Sequence, residues 1–469
     1  MNELIKFNFS ELEQLMWNTM LETFQQAMVE VLLMIDLYLS SKRDKERYEL
    51  KETREKGYIT MVGKIRVNRR YYWDRYEKKW VYLLDQVLGT DTGGKVSACL
   101  KELAILWATK GPSYRDTRNR LEDLFGHQVI SHEKIRQILI QTSETLGKKI
   151  MEKPVKKKAK VLFIEADGLW TGVQHRANKS KKKRETLLVT VHEGWKTRQG
   201  NGDKADYQLV NPIYITDLAG SEEEIWEQVM LRLSEEYEDP AKVRFVINGD
   251  GAPWIRRGTE YFRKAIYQHD RFHLKREVKE KLRAGKKYIG QALEHIDQNN
   301  PEGLFETLGK AADETKNLEE RLELRKFKQG LQKHPDYLID YRQRLKEQGV
   351  EISPTWRGMG AAESNVDLFK LRVSKRGRAW SDRGLKAILH MLGLLYENVL
   401  HNSIKQLDLS LGEKVDAGEF VSMSANQVAK TVGREALGIP RAGFPAIHRG
   451  NSQGFAKLFR SMLNPGFVE

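Results

Sequence analysis

VLFIEADG (161–168) and RFVINGDG (244–251) decide the fold. Each is an apolar run of strand length, too short for a helix, that gives way to an aspartate followed by glycine. Between them the sequence predicts strands over Thr186–His192 and Tyr207–Thr216, separated by the turn-rich stretch 194–204, then a helix from Ser221 to about Glu236. After the second run come a helix over Pro253–Lys264 and a short strand over Ala265–Tyr267. Three strands, then helix, strand, helix, strand, is an α/β unit built on a mixed sheet. Ligands of such sheets gather past the carboxyl ends of the strands, which is where this reading puts Asp167 and Asp250. Gly168 and Gly251 then let backbone or substrate approach the carboxylates. Asp-Gly is also an ordinary turn dipeptide, but two in matching positions on one sheet favour a site over a pair of turns.

Working outward, residues 274–348 are charged and helical, with breaks at Asn299-Asn300-Pro301 and His334-Pro335, and form an all-helical insertion. A loop then leads to Glu363, which opens a helix to about Val373, and another helix begins near Ser381. Ahead of the sheet lies the basic linker KPVKKKAK (153–160). Before it, three short helices are capped or closed by Gly111-Pro112, Ser113 with Asp116, and Ser131, and they match a helix-turn-helix unit. Its third helix would present His132, Lys134, Arg136, Gln137 and Gln141 to a major groove. Alternating residues around Gly63-Lys64, with a third run at Trp80–Leu84, predict a small antiparallel sheet. Its Arg66, Asn68, Arg69 and Arg70 suit nucleic acid or a solvated face equally. Residues 10–40 form one amphipathic helix capped by Ser10 with Glu13, whose stripe from Leu12 to Ile35 needs a partner helix in this chain or in another subunit.

The expected fold class is therefore multidomain α/β. The segments are a helical region (1–56), a small β region (57–90), a helix-turn-helix DNA-binding domain (91–150), a core in two parts (159–273 and 352–401) interrupted by the helical insertion (274–351), and a C-terminal tail (402–469). Lys and Arg number 80 against 65 Asp and Glu, a net charge of +15 that suits a polyanionic partner. Cys99 is the only cysteine, which excludes a disulfide framework and a cysteine-based zinc site. The apolar run 29–39 carries Glu30 and Asp36 and is too short to span a bilayer, and the start lacks a signal pattern. A cytoplasmic protein without membrane contact is expected.

Three further motifs make the pattern specific. QHDRFHLK (268–275) lies between the second aspartate and Glu363, GAAESNVDLFKLRVSKRGRAW (360–380) surrounds that glutamate, and NGDGAPWI (248–255) surrounds Asp250. Together with the hairpin and helix-turn-helix, this order resembles the ISLre-type bacterial insertion-sequence transposases, related to the Mutator-like DDE transposases. The resemblance implies an RNase H-like catalytic core in which Asp167, Asp250 and Glu363 ligate two Mg²⁺ or Mn²⁺ ions. Asp167 would bridge both, with Asp367 the nearest substitute for Glu363. Two such ions about 3.5–4 Å apart serve in-line displacement at phosphorus. It also implies accessory roles for Asp270 and His273, and phosphate contacts from Arg372, Lys375, Arg376 and Arg378 and from a loop holding Lys181 and Lys182. The implied partners are the element's terminal inverted repeats and target DNA, bound by a homodimer or higher oligomer. A regulator that has lost activity would lack one of the acids, and all three are here; a glycosidase using Asp167 and Asp250 fits the basic charge poorly.

Overall fold

The computed structural model describes residues 8–90, 95–148, 155–174, 182–198, 206–218, 222–283, 285–375 and 377–408. The described residues divide into two compact units: one holds those up to Ala108 with Tyr114–Ile135 and Ile404–Asp408, the other Thr109–Ser113 with those of Arg136–Ser403.

In the first unit, helix α1 (Phe9–Lys42) precedes an antiparallel sheet of β1 (Tyr48–Thr60), β2 (Gly63–Asp74) and β3 (Lys79–Val81), followed by α2 (Leu83–Val87). The cap of α1 is Asn8, whose side chain accepts the Glu11 N–H, so the helix starts ahead of the Ser10 box. Asn caps as well as Ser and has its own acidic partner three residues on. The expected stripe divides: Leu32 and Ile35 pack against Tyr58, Ile65, Val67 and Leu84, whereas Leu15 and Met16 are exposed. The arginines of the hairpin divide too. Arg69 donates to buried Asp85 (2.9 Å) and Arg70 to buried Asp36 (2.6 Å), so both hold this unit together, and Arg66 stays exposed.

The three helices expected next are α3 (Ala98–Lys110), α4 (Tyr114–Phe125) and α5 (His132–Lys148), the last with Ser131 Oγ accepting the Lys134 N–H. The division between units passes through α5, between Ile135 and Arg136. The later part of α5 is tied into the second unit: Ser143 Oγ lies 3.0 Å from His390 Nδ1, and Arg383 donates to Glu144 at 2.7 Å.

The second unit is an α/β structure on a six-stranded mixed sheet. Strand β4 (Val161–Val173) pairs antiparallel with β5 (Lys182–His192). A two-stranded ribbon of β6 (Trp195–Arg198) and β7 (Asp206–Leu209) follows, and then β8 (Ile213–Leu218), antiparallel to β5. The single strand expected over Tyr207–Thr216 is thus two, broken where Asn211 adopts positive φ (48°) before Pro212. Helix α6 (Glu222–Glu236) leads to β9 (Arg244–Gly249), parallel to β4, and α7 (Pro253–Tyr261) to β10 (Ala265–His269), parallel to β9. The sheet order is β10-β9-β4-β5-β8.

The helical insertion comprises α8 (Arg271–Lys281), α9 (Ile289–Asp297), α10 (Pro301–Glu314), α11 (Leu318–Gln332) and α12 (Tyr341–Glu347), with its own apolar core around Leu304, Leu308 and Leu324. It begins three residues earlier than expected, because Asp270 caps α8. Its end returns to the sheet, where Tyr341 and Leu345 pack with Val161 and Phe163. Helix α13 (Ala361–Val373), β11 (Ala379–Trp380), α14 (Asp382–Tyr396) and α15 (Leu400–Asp408) complete the described chain, with β11 parallel to the end of β4. No helix among the described residues is long and apolar enough to cross a membrane.

Candidate metal centre

Alternation along β4 sorts its side chains between the two faces of the sheet. Leu162, Ile164 and Ala166 enter the core with α6 and α7, whereas Val161 and Phe163 pack on the opposite side with Tyr341 and Met359. Asp167 falls in register with Phe163, on the face that α13 covers. It stands within β4, opposite Leu188 of β5, and not past the strand's end as expected. The parallel pairing to β9 stops at Glu165, but the antiparallel pairing with β5 runs on to Val173. The space beside Gly168 is taken by the Glu185 carboxylate, not left for substrate.

Asp250 does follow its strand, immediately after β9. The turn that carries it is clamped by Tyr267 on β10, whose hydroxyl accepts the Gly251 N–H (2.8 Å) and donates to the Gly249 carbonyl (2.9 Å). Gly251 has φ +98°, a left-handed backbone that favours glycine. The exposed Asp250 carboxylate accepts the Ala252 N–H at 2.9 Å.

Asp270 and His273 act as a pair. Asp270 is buried and caps α8 by accepting the His273 N–H (2.9 Å); its carboxylate also receives His273 Nδ1 (3.0 Å) and Asn248 Nδ2 (2.8 Å). Burial alone would push the Asp270 carboxyl up, but these hydrogen bonds hold it below the usual carboxylate range. The carboxylate in turn raises the His273 pKa and turns Nε2 away from itself, to 3.9 Å from Glu363 Oε2. Glu363 sits in the first turn of α13, with Lys370 Nζ 3.9 Å from its other oxygen.

These elements bring single ligand atoms of Asp167, His273 and Glu363 within 4.8 Å of one another. Adjacent ligands on an octahedral Mg²⁺ at about 2.1 Å stand about 3 Å apart and opposite ones about 4 Å, so a span of up to 4.8 Å is somewhat wider than one such ion would hold. Burial raises the Asp167 pKa, and the neighbouring Asp250 and Glu363 charges raise it further, against the Gly168 N–H and His273. A carboxylate held this way gains from a divalent cation, and an Asp–His pair presenting Nε2 is a common way to orient a ligand. The donor set of two carboxylates and one imidazole suits Mn²⁺ and accommodates Mg²⁺. Asp250 lies outside this group of three, beside Asp167.

The expected phosphate contacts are distributed unevenly. Lys134, Gln137 and Lys375 are exposed and Arg136 half-buried. Arg372 is buried, with its guanidinium 5.1 Å from the Trp380 ring centre, and Arg378 donates to the Leu371 and Arg372 carbonyls at the end of α13, so both are engaged in the fold. Lys182 opens β5, while Lys181 and Arg376 lie outside the described residues. Asp367 is exposed on α13, and no metal-holding group among the described residues includes it. Two residues were not anticipated. Phe272 is 58% exposed and lines an open pocket with Asp270, His273, Gly360, Glu363 and Ser364. Glu165 is buried two residues before Asp167, a charged residue inside an apolar strand and in the same alternation phase as the aspartate.

Fold and site together define a mixed-sheet α/β protein with an acidic, histidine-containing cluster on one face of its sheet. The chain belongs to UPF0236, an uncharacterised protein family, whose model matches residues 4–406. A UPF0236 protein of Caldanaerobacter subterraneus subsp. tengcongensis is 23% identical over 401 residues, covering 84% of this chain and 79% of that one. A second from the same organism, 23% identical over 398 residues (84% and 78%), has a name that joins eleven loci. A relative from Streptococcus gallolyticus, named for its position in the vanSb 3′ region, is 25% identical over 396 residues and covers 82% of each chain. Among solved structures, the Drosophila P element transposase strand transfer complex covers 72% of this chain and 86% of its own, at 11% identity and a TM-score of 0.25, too slight a likeness to carry an argument.

Proposed function

We propose that this protein is a DDE-type transposase that cuts DNA at the ends of an insertion sequence and joins the freed 3′-hydroxyls to target DNA. The convergence of Asp167, His273 and Glu363 from three separate elements carries this reading. Three antiparallel strands, with two parallel strands added on the far side of the first, support an RNase H-like core. The net charge of +15 suits DNA, and a relative repeated at eleven loci in one organism suits an element that copies itself.

Divalent Mg²⁺ or Mn²⁺, when bound, would activate the attacking oxygen and stabilise the leaving one. The chain's own residues do the rest. Asp167 supplies the central carboxylate from a rigid strand, and Glu363 approaches from the first turn of α13. Asp270 keeps His273 turned so that Nε2 faces the cluster. Asp250, on the turn clamped by Tyr267, would supply a carboxylate ligand to a second ion. In each step an oxygen, first of water and then of the 3′-hydroxyl, attacks phosphorus as the opposite P–O bond breaks. The attacking oxygen's proton passes to solvent, and the leaving oxygen takes one up from it to end as a hydroxyl.

The test is incubation of the protein with labelled DNA carrying the element's ends, in Mg²⁺ and in EDTA. Strand cleavage in Mg²⁺ alone, lost in Asp167→Asn, Asp250→Asn and Glu363→Gln while DNA binding persists, is the expected outcome. Equal cleavage in EDTA, or full cleavage by the Asp167 variant, would overturn the reading.

A further inference from the structure

Glu165 is a carboxylate with no exposed side-chain surface, placed on the strand that carries Asp167 and on the same face. Its Oε2 accepts the N–H groups of Gly360 and Ala362, both at 3.0 Å. Those groups belong to the start of α13, whose cap residue, Gly360, has no side chain to cap with. A helix normally satisfies such donors with its own Ser, Thr, Asp or Asn; here a strand residue from 195 positions earlier does so. Glu165 Oε1 lies 3.3 Å from Nε2 of buried His192, whose Nδ1 is within hydrogen-bonding distance of the Gly194 N–H (3.2 Å) and carbonyl (3.1 Å).

The consequence is geometric. Asp167 is two residues beyond Glu165 on one rigid strand, and Glu363 is one residue beyond Ala362 on one rigid helix. The same carboxylate therefore ties together the two elements that bring these acids to the cluster. We infer that Glu165 is a positioning residue that sets the separation of Asp167 and Glu363, and so the affinity of the cluster for a divalent ion. This rests on the metal-site reading above. Were Glu165 only a stability element, a local cap on α13 would serve equally, without burying a carboxylate beside the acidic cluster.

Glutamine at this position keeps an oxygen for the two N–H groups. Its NH₂ can donate to His192 Nε2 once the imidazole proton moves to Nδ1, where the Gly194 carbonyl accepts it. Leucine keeps the volume and leaves both N–H groups unpaired. Aspartate keeps the charge but withdraws the acceptor by about 1.5 Å, one C–C bond.

The experiment titrates the full chain with Mn²⁺ alone, following free Mn²⁺ by electron paramagnetic resonance well below each variant's melting temperature. Wild type should bind, Glu363→Gln should not, and Glu165→Gln should stay within about threefold of wild type. Glu165→Leu should bind at least about tenfold more weakly, as loss of a ligand-orienting contact does. Should the leucine variant fail to fold, Glu165→Asp carries the test, with an affinity loss of at least about threefold expected. If folded Glu165→Leu, or in its stead Glu165→Asp, binds Mn²⁺ as wild type does while Glu363→Gln does not, Glu165 is a stability element and the inference falls alone. Absence of Mn²⁺ binding by wild type, or unchanged binding by Glu363→Gln, would sink the metal-site reading and the inference with it.

Discussion

Replacing Asp270 by asparagine separates its two duties, capping α8 and charging His273. The introduced amide oxygen can accept the His273 N–H as the carboxylate does at 2.9 Å, and Asn and Asp cap about equally well, so α8 keeps its start. The other oxygen receives Asn248 Nδ2 at 2.8 Å, where an NH₂ group would set donor against donor. Asn248 has a remedy: its Oδ1 is buried without a hydrogen-bond partner, so turning the amide over presents an acceptor instead. The expected stability loss is about 1 kcal/mol, the difference between a charge-assisted and a neutral hydrogen bond.

What the amide cannot supply is the negative charge that raises the His273 pKa and strengthens Nε2 as a ligand. Mn²⁺ affinity should therefore fall about tenfold, or about 1.4 kcal/mol, at the lower end of what second-layer ligand contacts contribute. Asp270→Ala removes the cap as well and takes the acceptor from three donors, the His273 N–H, His273 Nδ1 and Asn248 Nδ2, so it should cost about 3 kcal/mol of stability and more of the affinity. Urea denaturation without metal and Mn²⁺ titration read the two effects separately. Wild-type Mn²⁺ affinity in Asp270→Asn would remove His273 from the ligand set; a stability loss equal to that of the alanine variant would refute the amide-exchange argument.

Three other predictions concern pH, DNA reading and self-association. Because the folded-state pKa of His273 is raised, its pairing with Asp270 stabilises the fold fully below about pH 6.5 and fades as pH rises through the folded value. Metal binding runs the opposite way, since Nε2 must lose its proton: Mn²⁺ affinity should climb from about pH 6 to about pH 8, less steeply in His273→Asn, and equal slopes would contradict this. Lys134, Gln137 and Gln141 are exposed along α5 at helical spacing, and their joint replacement by alanine should weaken binding to the element's ends about tenfold or more by gel shift, with generic DNA affected less. Unchanged end binding would exclude α5 as the reader. Leu15→Glu with Met16→Glu places charge on the exposed part of α1 and should shift the protein toward monomer in light scattering without lowering its melting temperature; an unshifted mass would clear that face of a role in assembly.

The acids were legible because each stands in a local pattern that physics restricts: an apolar run interrupted by a carboxylate, or a helix start after a loop. Asp250 could be placed at a strand end from sequence, since β9 stops at Gly249. Asp167 could not, because its strand is prolonged by antiparallel pairing with β5, which is non-local. The same holds for the first half of β1, where residues 51–55 are exposed and charged or polar, and pairing with β2 rather than periodicity makes the strand. The break at Asn211-Pro212 was readable, as Asn-Pro favours a turn, but the apolar residues on either side argued for one strand. Arg372 looks like a solvated cation in a basic run, yet its position on α13 turns it onto Trp380. Glu165 carried the clearest overlooked signal, a glutamate in phase with Asp167 inside a buried strand.

The proposed function requires Asp167, His273 and Glu363 to hold a divalent ion. Anomalous scattering from a crystal of the protein grown with Mn²⁺ tests it most directly. A manganese peak is expected at about 2.1–2.3 Å from a carboxylate oxygen of Asp167, a carboxylate oxygen of Glu363 and Nε2 of His273. A peak bound elsewhere, or none between these three side chains at saturating Mn²⁺, would contradict it.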